Sequence, residues 1–221
     1  MSDILILLPV LFFSVIIHEI AHGWMALRCG DDTALRAGRL TLNPIPHIDP
    51  FMTILLPLFL IISASGFIIG GAKPVPVNPY LLRNGEKDNL KVTFAGPASN
   101  LLLAAAAVLL LVAANQVYRL APSRLLDSLR GVLMIMIWLN LILANFNLIP
   151  IPPLDGSHIL AYFLRGEARS AYARFRGAGM IPIFALLFLG NMIRIGGMGL
   201  FSWLFLPSRL AMDLVQRFLL G

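Results

Sequence analysis

The sequence predicts an all-α polytopic membrane protein of about five to six transmembrane helices, with a re-entrant segment and a short extended edge or hairpin. Two observations support this fold class, and a third excludes a disulfide scaffold. Of the 221 residues, 58% are hydrophobic and only 13% are charged, a balance that is too apolar for a soluble domain. Several apolar runs approach the roughly 20 residues that a spanning helix needs. A single cysteine excludes an internal disulfide framework.

The first apolar run, residues 4–27, predicts a retained helix rather than a cleaved signal, because no basic region precedes it and it carries His and Glu. The second run, residues 51–70, is interrupted by Pro57 and ends in glycines, so it either spans the membrane or re-enters on one side. The stretch Ala72–Pro79 that follows is rich in proline and therefore extended in character. It is either an edge that can pair with another chain or a rigid connection.

Two later runs, residues 98–117 and 131–149, predict clean spans. Residues 180–194 and 198–219 are weaker candidates, because glycines and a proline interrupt them. The intervening stretch, residues 153–177, carries four arginines and is too charged to span, so it predicts a helix at the membrane interface.

The chain shows no repeat, no low-complexity tail and no second soluble domain, so we expect one membrane domain over residues 1–221. Its core would occupy about residues 4–160, and its C-terminal helices about residues 178–220. A net charge of +6 comes without any nucleic-acid-binding signature, and excess Lys and Arg in membrane proteins mark cytoplasmic loops. We therefore expect a lipid bilayer and no nucleic acid as partners. The sequence does not indicate the oligomeric state.

The motif His18-Glu19-Ile20-Ala21-His22 lies inside the first predicted helix. On a helix, His18 and His22 share one face and can bind the same Zn²⁺. Glu19 would then lie beside the zinc-bound water and could take its proton. A charged side chain near the bilayer centre costs about 2.5–3.5 kcal/mol on insertion scales, so such residues indicate a functional site. The alternative is a polar cluster packed against another helix.

Asp155 is the best candidate for a third zinc ligand. A catalytic zinc site has three protein ligands and keeps one position for water, so two histidines leave one ligand missing. Asp155 follows a proline-rich stretch, residues 147–154, whose irregular backbone is tolerated at membrane depth only beside protein or a water-filled cavity. The alternative role for Asp155 is an N-cap of the following helix.

Three separated motifs resemble, in the same order, those of the site-2 protease family of intramembrane zinc metalloproteases, in its compact subgroup without a PDZ or regulatory domain. They are His18-Glu19-Ile20-Ala21-His22, Gly96-Pro97-Ala98-Ser99-Asn100, and Asn147 through Gly156. The resemblance implies one Zn²⁺ per chain bound by His18, His22 and Asp155, with Glu19 as the general base. It also implies that Asn147 donates a hydrogen bond to the scissile carbonyl or its oxyanion.

The reaction implied by the resemblance is hydrolysis of a peptide bond within or near a transmembrane helix of another membrane protein, after a first cleavage has trimmed it. An extended edge at Ala72–Pro79 could then hold the unwound substrate strand. Two alternatives remain. One is a catalytically silent relative that binds membrane proteins, against which the intact Glu19 argues. The other is a metal or ion transporter, for which no inverted repeat is evident.

The resemblance also implies a site that faces the cytosol, in the cell membrane of a prokaryote. Charge agrees with this orientation if residues 51–70 re-enter, because eleven Lys and Arg residues then lie inside and three outside. A simple span gives six inside and eight outside. We therefore predict a re-entrant hairpin followed by an extended edge over residues 51–79.

Three further polar residues are candidates for supporting roles. His47 is either an outer-shell partner or extra ligand of the metal, or a histidine of an interfacial loop. His158 lies three residues after Asp155 and could hydrogen-bond in the outer shell. Asn100 either lines the active-site cavity or satisfies backbone groups at the start of a helix.

Overall fold

The computed structural model describes residues 2–55, 62, 71–190 and 192–219. It is 73% helical, and strand pairing in its described part is limited to one two-stranded sheet. The predicted class, an all-α membrane protein, is confirmed.

The helices follow the apolar runs of the sequence, with some changes at their ends. In chain order they are α1 (Ser2–Arg28), α2 (Thr33–Arg36), α3 (Glu86–Leu120), α4 (Arg124–Asn147), α5 (Asp155–Phe163), α6 (Gly166–Arg176), α7 (Ile181–Leu189), α8 (Leu200–Leu204) and α9 (Leu206–Leu219). Short 3₁₀ helices occupy Ile45–His47 and Pro79–Leu81, and a π-helix occupies Pro50–Leu55. Strands β1 (Arg194–Ile195) and β2 (Met198–Gly199) pair antiparallel.

Three helices of the described chain are long and apolar enough to cross a membrane: Ile6–Arg28, α3 and α4. The pair α6 and α7, bent by 79°, adds a fourth if it forms one broken span. The protein is therefore an integral membrane protein. Residues 56–61 and 63–70 lie outside the described residues, so the re-entrant segment stays a prediction.

Helix α3 begins earlier than the sequence predicted. The expected span, residues 98–117, lies within a helix of 35 residues that starts at Glu86. At 1.5 Å per residue this helix is about 52 Å long, well beyond the ~30 Å hydrocarbon core. Glu86 and Asp88 in the first turn favour its N-terminus electrostatically. Pro97 lies inside the helix rather than at its start, because membrane helices tolerate the missing N–H of an internal proline.

The residues group into two compact units, Met1–Ser99 and Asn100–Gly221. In the first unit, Ala26 and Cys29 at the end of α1 pack with Leu82 and Val92. In the second unit, α3 and α4 share a core centred on Leu111 and Ile137. Helix α9 packs against this core through Met212, Val215 and Leu219. The single domain expected over the whole chain stays a prediction.

Candidate active site

The two histidines of the first motif converge on one face of α1. Their Nε2 atoms are 3.0 Å apart, and the His18 side chain is buried. The rings meet edge to face at 86°. Two nitrogen ligands on one tetrahedral zinc, with bonds of about 2.0–2.1 Å, are separated by about 3.3 Å. The pair therefore fits a shared zinc ion with only a small adjustment.

A backbone carbonyl of α3 fixes the orientation of the His22 ring. His22 Nδ1 is 2.7 Å from the carbonyl oxygen of Val92. A carbonyl only accepts hydrogen bonds, so Nδ1 must carry the proton. In the neutral ring, Nε2 then carries the lone pair with which an imidazole binds a metal.

Gly96 leaves the space that the two imidazoles occupy. A Cβ atom at this position would overlap His22 Nε2 and would lie 2.6 Å from His18 Cε1. Real Cβ atoms essentially never approach other atoms closer than 3.0 Å. Glycine at residue 96 is therefore required for α3 to pass this close to the histidine pair.

Glu19 is held by the extended stretch that follows the undescribed residues. Its Oε2 accepts a hydrogen bond of 2.8 Å from the backbone N–H of Val75. The side chain of Val75 packs one helical turn further along α1, where an added Cβ at Gly23 would lie 2.7 Å from its Cγ1. Val75 therefore contacts the same face of α1 at two successive turns.

The stretch from Gly71 to Asn78 is extended, as predicted, but most of its N–H groups are already engaged or missing. The amides of Lys73, Val75 and Asn78 donate to other parts of the first unit. The two prolines of the stretch, Pro74 and Pro76, have no N–H. Within the described residues, these bonds favour the rigid connection over a free edge for a substrate strand.

The second unit contains the other predicted catalytic residues. Asn147 is the last residue of α4, and its Nδ2 donates to the Leu143 carbonyl of the same helix at 3.0 Å. Asp155 is the first residue of α5, and the N-cap position belongs to Leu154, with no side-chain capping bond. The capping role considered for Asp155 is therefore not the one it has here.

Gly156 makes the turn before α5 possible. A Cβ on this residue would overlap the carbonyl oxygens of Leu148 and Ile149. The peptide between Pro152 and Pro153 is cis. The chain thus folds back closely on the end of α4 just before Asp155.

The remaining candidates have structural partners. His47 is fully buried in its 3₁₀ helix, and its Nε2 lies 2.9 Å from the Thr41 carbonyl oxygen. His158 is exposed and accepts a hydrogen bond from Arg176 of α6, with 2.7 Å between Arg176 Nη2 and His158 Nδ1. Whether either residue supports the metal stays a prediction.

Asn100 lies well inside α3 rather than at its start. It is fully buried, and its Nδ2 donates to Oδ1 of Asn140 in α4 at 2.9 Å. Asn140, in turn, donates to the Met136 carbonyl. Asn140 was not among the residues predicted from the sequence, although an asparagine within an apolar span is a signal for an interhelical hydrogen bond.

Comparison with known proteins decides the family. The model of peptidase family M50 matches residues 6–190, which include the His18-Glu19-Ile20-Ala21-His22 motif and Asp155. The chain belongs to peptidase family M50. This is the site-2 protease family that the motifs predicted, and the membership confirms the predicted enzyme class, a zinc metalloprotease, with zinc as its metal. It also argues against the transporter alternative.

Relatives of this M50 chain are similar over most of its length. YwhC of Bacillus subtilis, named as a candidate zinc metalloprotease, is 39% identical over 187 residues, which are 83% of this chain and 81% of the relative. Rip2 of Mycobacterium tuberculosis, named in the same way, is 32% identical over 196 residues, 87% of this chain and 70% of the relative. No solved structure matches the chain significantly.

Proposed function

We propose that this M50 protease hydrolyses a peptide bond within or near a transmembrane helix of another membrane protein. Its zinc would be bound by His18, His22 and Asp155, with Glu19 as the general base and Asn147 as the oxyanion donor. The observation that carries the proposal is the convergence of the two imidazoles on α1, with 3.0 Å between their Nε2 atoms, inside a helix apolar enough to span a membrane.

The ligand set agrees with what zinc prefers. Imidazole nitrogens and a carboxylate oxygen are common zinc ligands, and three protein ligands leave the fourth position for water or substrate. The Val92 carbonyl supports this role of His22, because it fixes the ring with Nε2 available. When bound, zinc polarises the scissile carbonyl and lowers the pKa of water towards neutrality.

Glu19 performs the proton transfers. Its carboxylate takes a proton from the attacking water and later delivers it to the leaving amine nitrogen, as expected for a general acid–base group. The hydrogen bond from Val75 N–H to Oε2 fixes the orientation of the carboxylate.

Asn147 stabilises the negative charge that develops on the scissile carbonyl oxygen. Its Nδ2 now donates to Leu143 and would turn to the substrate oxygen on binding. An amide donor is suited to this role, because it stabilises charge without exchanging a proton.

A pair of carboxylate variants tests the function. We expect Glu19→Gln to abolish cleavage of a transmembrane substrate in proteoliposomes while zinc, measured by elemental analysis, remains near one per chain. The matched control is Glu167→Gln, which changes an exposed carboxylate of α6 and should cleave normally. Equal cleavage by wild type and Glu19→Gln would refute the protease mechanism, and the absence of zinc from wild type would refute the metal site.

We further propose that the site faces the cytosol of a prokaryotic cell, with residues 51–70 re-entering the membrane. Lys73 and Arg124 are both exposed and would lie on opposite sides of the membrane. Cysteines placed at these positions, with Cys29 replaced by alanine, should react with a membrane-impermeant reagent from opposite faces. Labelling of both from the same face would contradict the orientation.

A further inference from the structure

The backbone between Gly71 and Asn78 is attached to the rest of the first unit at several points. The attachments, in chain order, are Thr53 Oγ1 to the Gly71 carbonyl at 2.6 Å, Lys73 N–H to the His47 carbonyl at 2.8 Å, Val75 N–H to Glu19 Oε2 at 2.8 Å, and Asn78 N–H to Asp31 Oδ2 at 2.6 Å. Between the second and the third of these, the chain is bound by a single side chain, Arg39.

Arg39 binds two consecutive carbonyls of this backbone. Its Nη2 donates to the Lys73 carbonyl at 2.7 Å and to the Pro74 carbonyl at 3.3 Å. The peptide that joins Pro74 to Val75 contains both the second of these carbonyls and the N–H that binds Glu19. Because a peptide group is planar, fixing its oxygen with Arg39 also fixes the direction of its N–H towards Glu19.

Arg39 is an unusual residue to use for attaching a loop. It is only 8% exposed, and within the described part of the chain no carboxylate lies at ion-pair distance from it. Its Nε is buried, with no acceptor among the described residues. Burial of a cation without a paired anion is costly, so a neutral side chain would serve better if attachment were the only role.

The side chains on either side of the Arg39 contacts pack against α1. Leu40, the next residue, packs on α1 at Gly23, where an added Cβ would lie 2.7 Å from its Cδ2. Val75 packs at the same glycine, one turn after Glu19. Arg39 is therefore joined to Glu19 through the Pro74–Val75 peptide, next to two side chains that pack on α1 one turn after Glu19.

We propose that Arg39 is a positioning residue for the catalytic base. It holds the Pro74–Val75 peptide so that the Val75 N–H fixes the Glu19 carboxylate in the orientation for proton transfer. This proposal rests on the role of Glu19 in the proposed function. Arg39 acts through the backbone, so its loss should lower the rate of the chemical step without removing the zinc or weakening substrate binding.

Four variants separate positioning from simple attachment. Arg39→Gln should lower kcat on a transmembrane substrate by about 100-fold, the effect expected for a displaced catalytic group, while KM and zinc content stay unchanged. Arg39→Lys keeps the positive charge and N–H donors that can reach a carbonyl, and it should recover part of kcat. Thr53→Val removes a different attachment of the same stretch, and Arg36→Gln removes an exposed arginine paired with Asp32; both should leave kcat near wild type.

Hydrogen exchange provides a readout that does not depend on activity. In wild type the Val75 amide should be protected, and both Arg39→Gln and Glu19→Ala should speed its exchange. Thr53→Val should leave it protected. This measurement would still support or oppose the Arg39–Val75–Glu19 connection if the protein cut no substrate, so failure of the proposed function is distinguished from failure of this inference.

Two results would overturn the proposal. One is an active wild type whose kcat is unchanged by Arg39→Gln. The other is an equal fall of kcat in Arg39→Gln and Thr53→Val, which would show that Arg39 only attaches the stretch to the fold.

Discussion

The two regions that supply the predicted catalytic residues differ in how their side chains are held. In the first unit, His22 and Glu19 bind backbone groups that are 70 and 56 residues away in the chain. In the second unit, Asn147 binds the carbonyl four residues earlier in its own helix, and Asp155 begins a helix after an irregular stretch. His22 and Glu19 are therefore fixed by tertiary contacts before substrate arrives, whereas the amide of Asn147 is held by a local contact that binding can rearrange.

The comparison predicts the largest effect for a change at the histidine pair. Gly96→Ala should displace both imidazoles, because the added methyl group would overlap the His22 ring, and zinc and cleavage should both be lost. The matched control is Gly131→Ala in α4, where an added Cβ meets nothing within 4 Å. Alanine is favoured over glycine in a helix by about 1 kcal/mol, so this control should be active and slightly more stable.

Elemental analysis and a cleavage assay of the two purified variants provide the test. Full zinc occupancy in Gly96→Ala would mean that the first region is not as rigid as its contacts indicate.

A smaller effect is expected in the second region. Asn147→Ala should lower kcat by about 100-fold, the typical cost of losing one oxyanion donor, with zinc content unchanged. The matched control is Asn145→Ala, two residues earlier. The Nδ2 of Asn145 also donates to a backbone carbonyl, that of Leu204, at 2.5 Å. This control variant should cost about 1 kcal/mol of stability and leave kcat intact. A fall of kcat in Asn145→Ala, with kcat unchanged in Asn147→Ala, would contradict the role of Asn147.

The sequence was sufficient for the histidine pair, because a spacing of four residues on a helix sets their shared face without any tertiary information. It was insufficient for Val75 and Arg39, whose contacts with Glu19 and with the Lys73–Pro74 backbone join parts of the chain that no local pattern connects. The apolar run from residue 98 did not indicate that α3 begins at Glu86, because its first turns carry charged residues and a membrane helix tolerates an internal proline such as Pro97.

A moderate effect on stability is expected at the buried asparagine pair of the second unit. Asn140→Leu removes the acceptor for Asn100 Nδ2 and should lower the unfolding free energy by about 1 kcal/mol, the range measured for interhelical hydrogen bonds in membranes. Unfolding in detergent against denaturant provides the measurement. Unchanged stability would indicate that the pair has another role.

The smallest expected effect is on the pH dependence of stability, through Asp31, which accepts a hydrogen bond from the Asn78 amide. Burial raises the pKa of Asp31. Hydrogen bonds from the Thr33 side chain and from the amides of Asn78 and Thr33 lower it by more, so the pKa of Asp31 lies below its ordinary value. A depressed carboxyl pKa contributes stability that is present above about pH 4 and is lost as the pH falls through the folded-state pKa. At pH 7 wild type should therefore have a higher melting temperature than Asp31→Asn, and the difference between the two melting temperatures should narrow below pH 4. A constant difference would contradict this.

The central claim is that two imidazoles of α1 and the carboxylate of Asp155 bind one zinc ion. X-ray absorption at the zinc edge of the purified wild-type protein tests it most directly. The account predicts two imidazole nitrogens at about 2.0–2.1 Å and oxygen atoms in the remaining positions. A coordination shell with fewer than two imidazoles, or with a sulfur from Cys29 at about 2.3 Å, would contradict it.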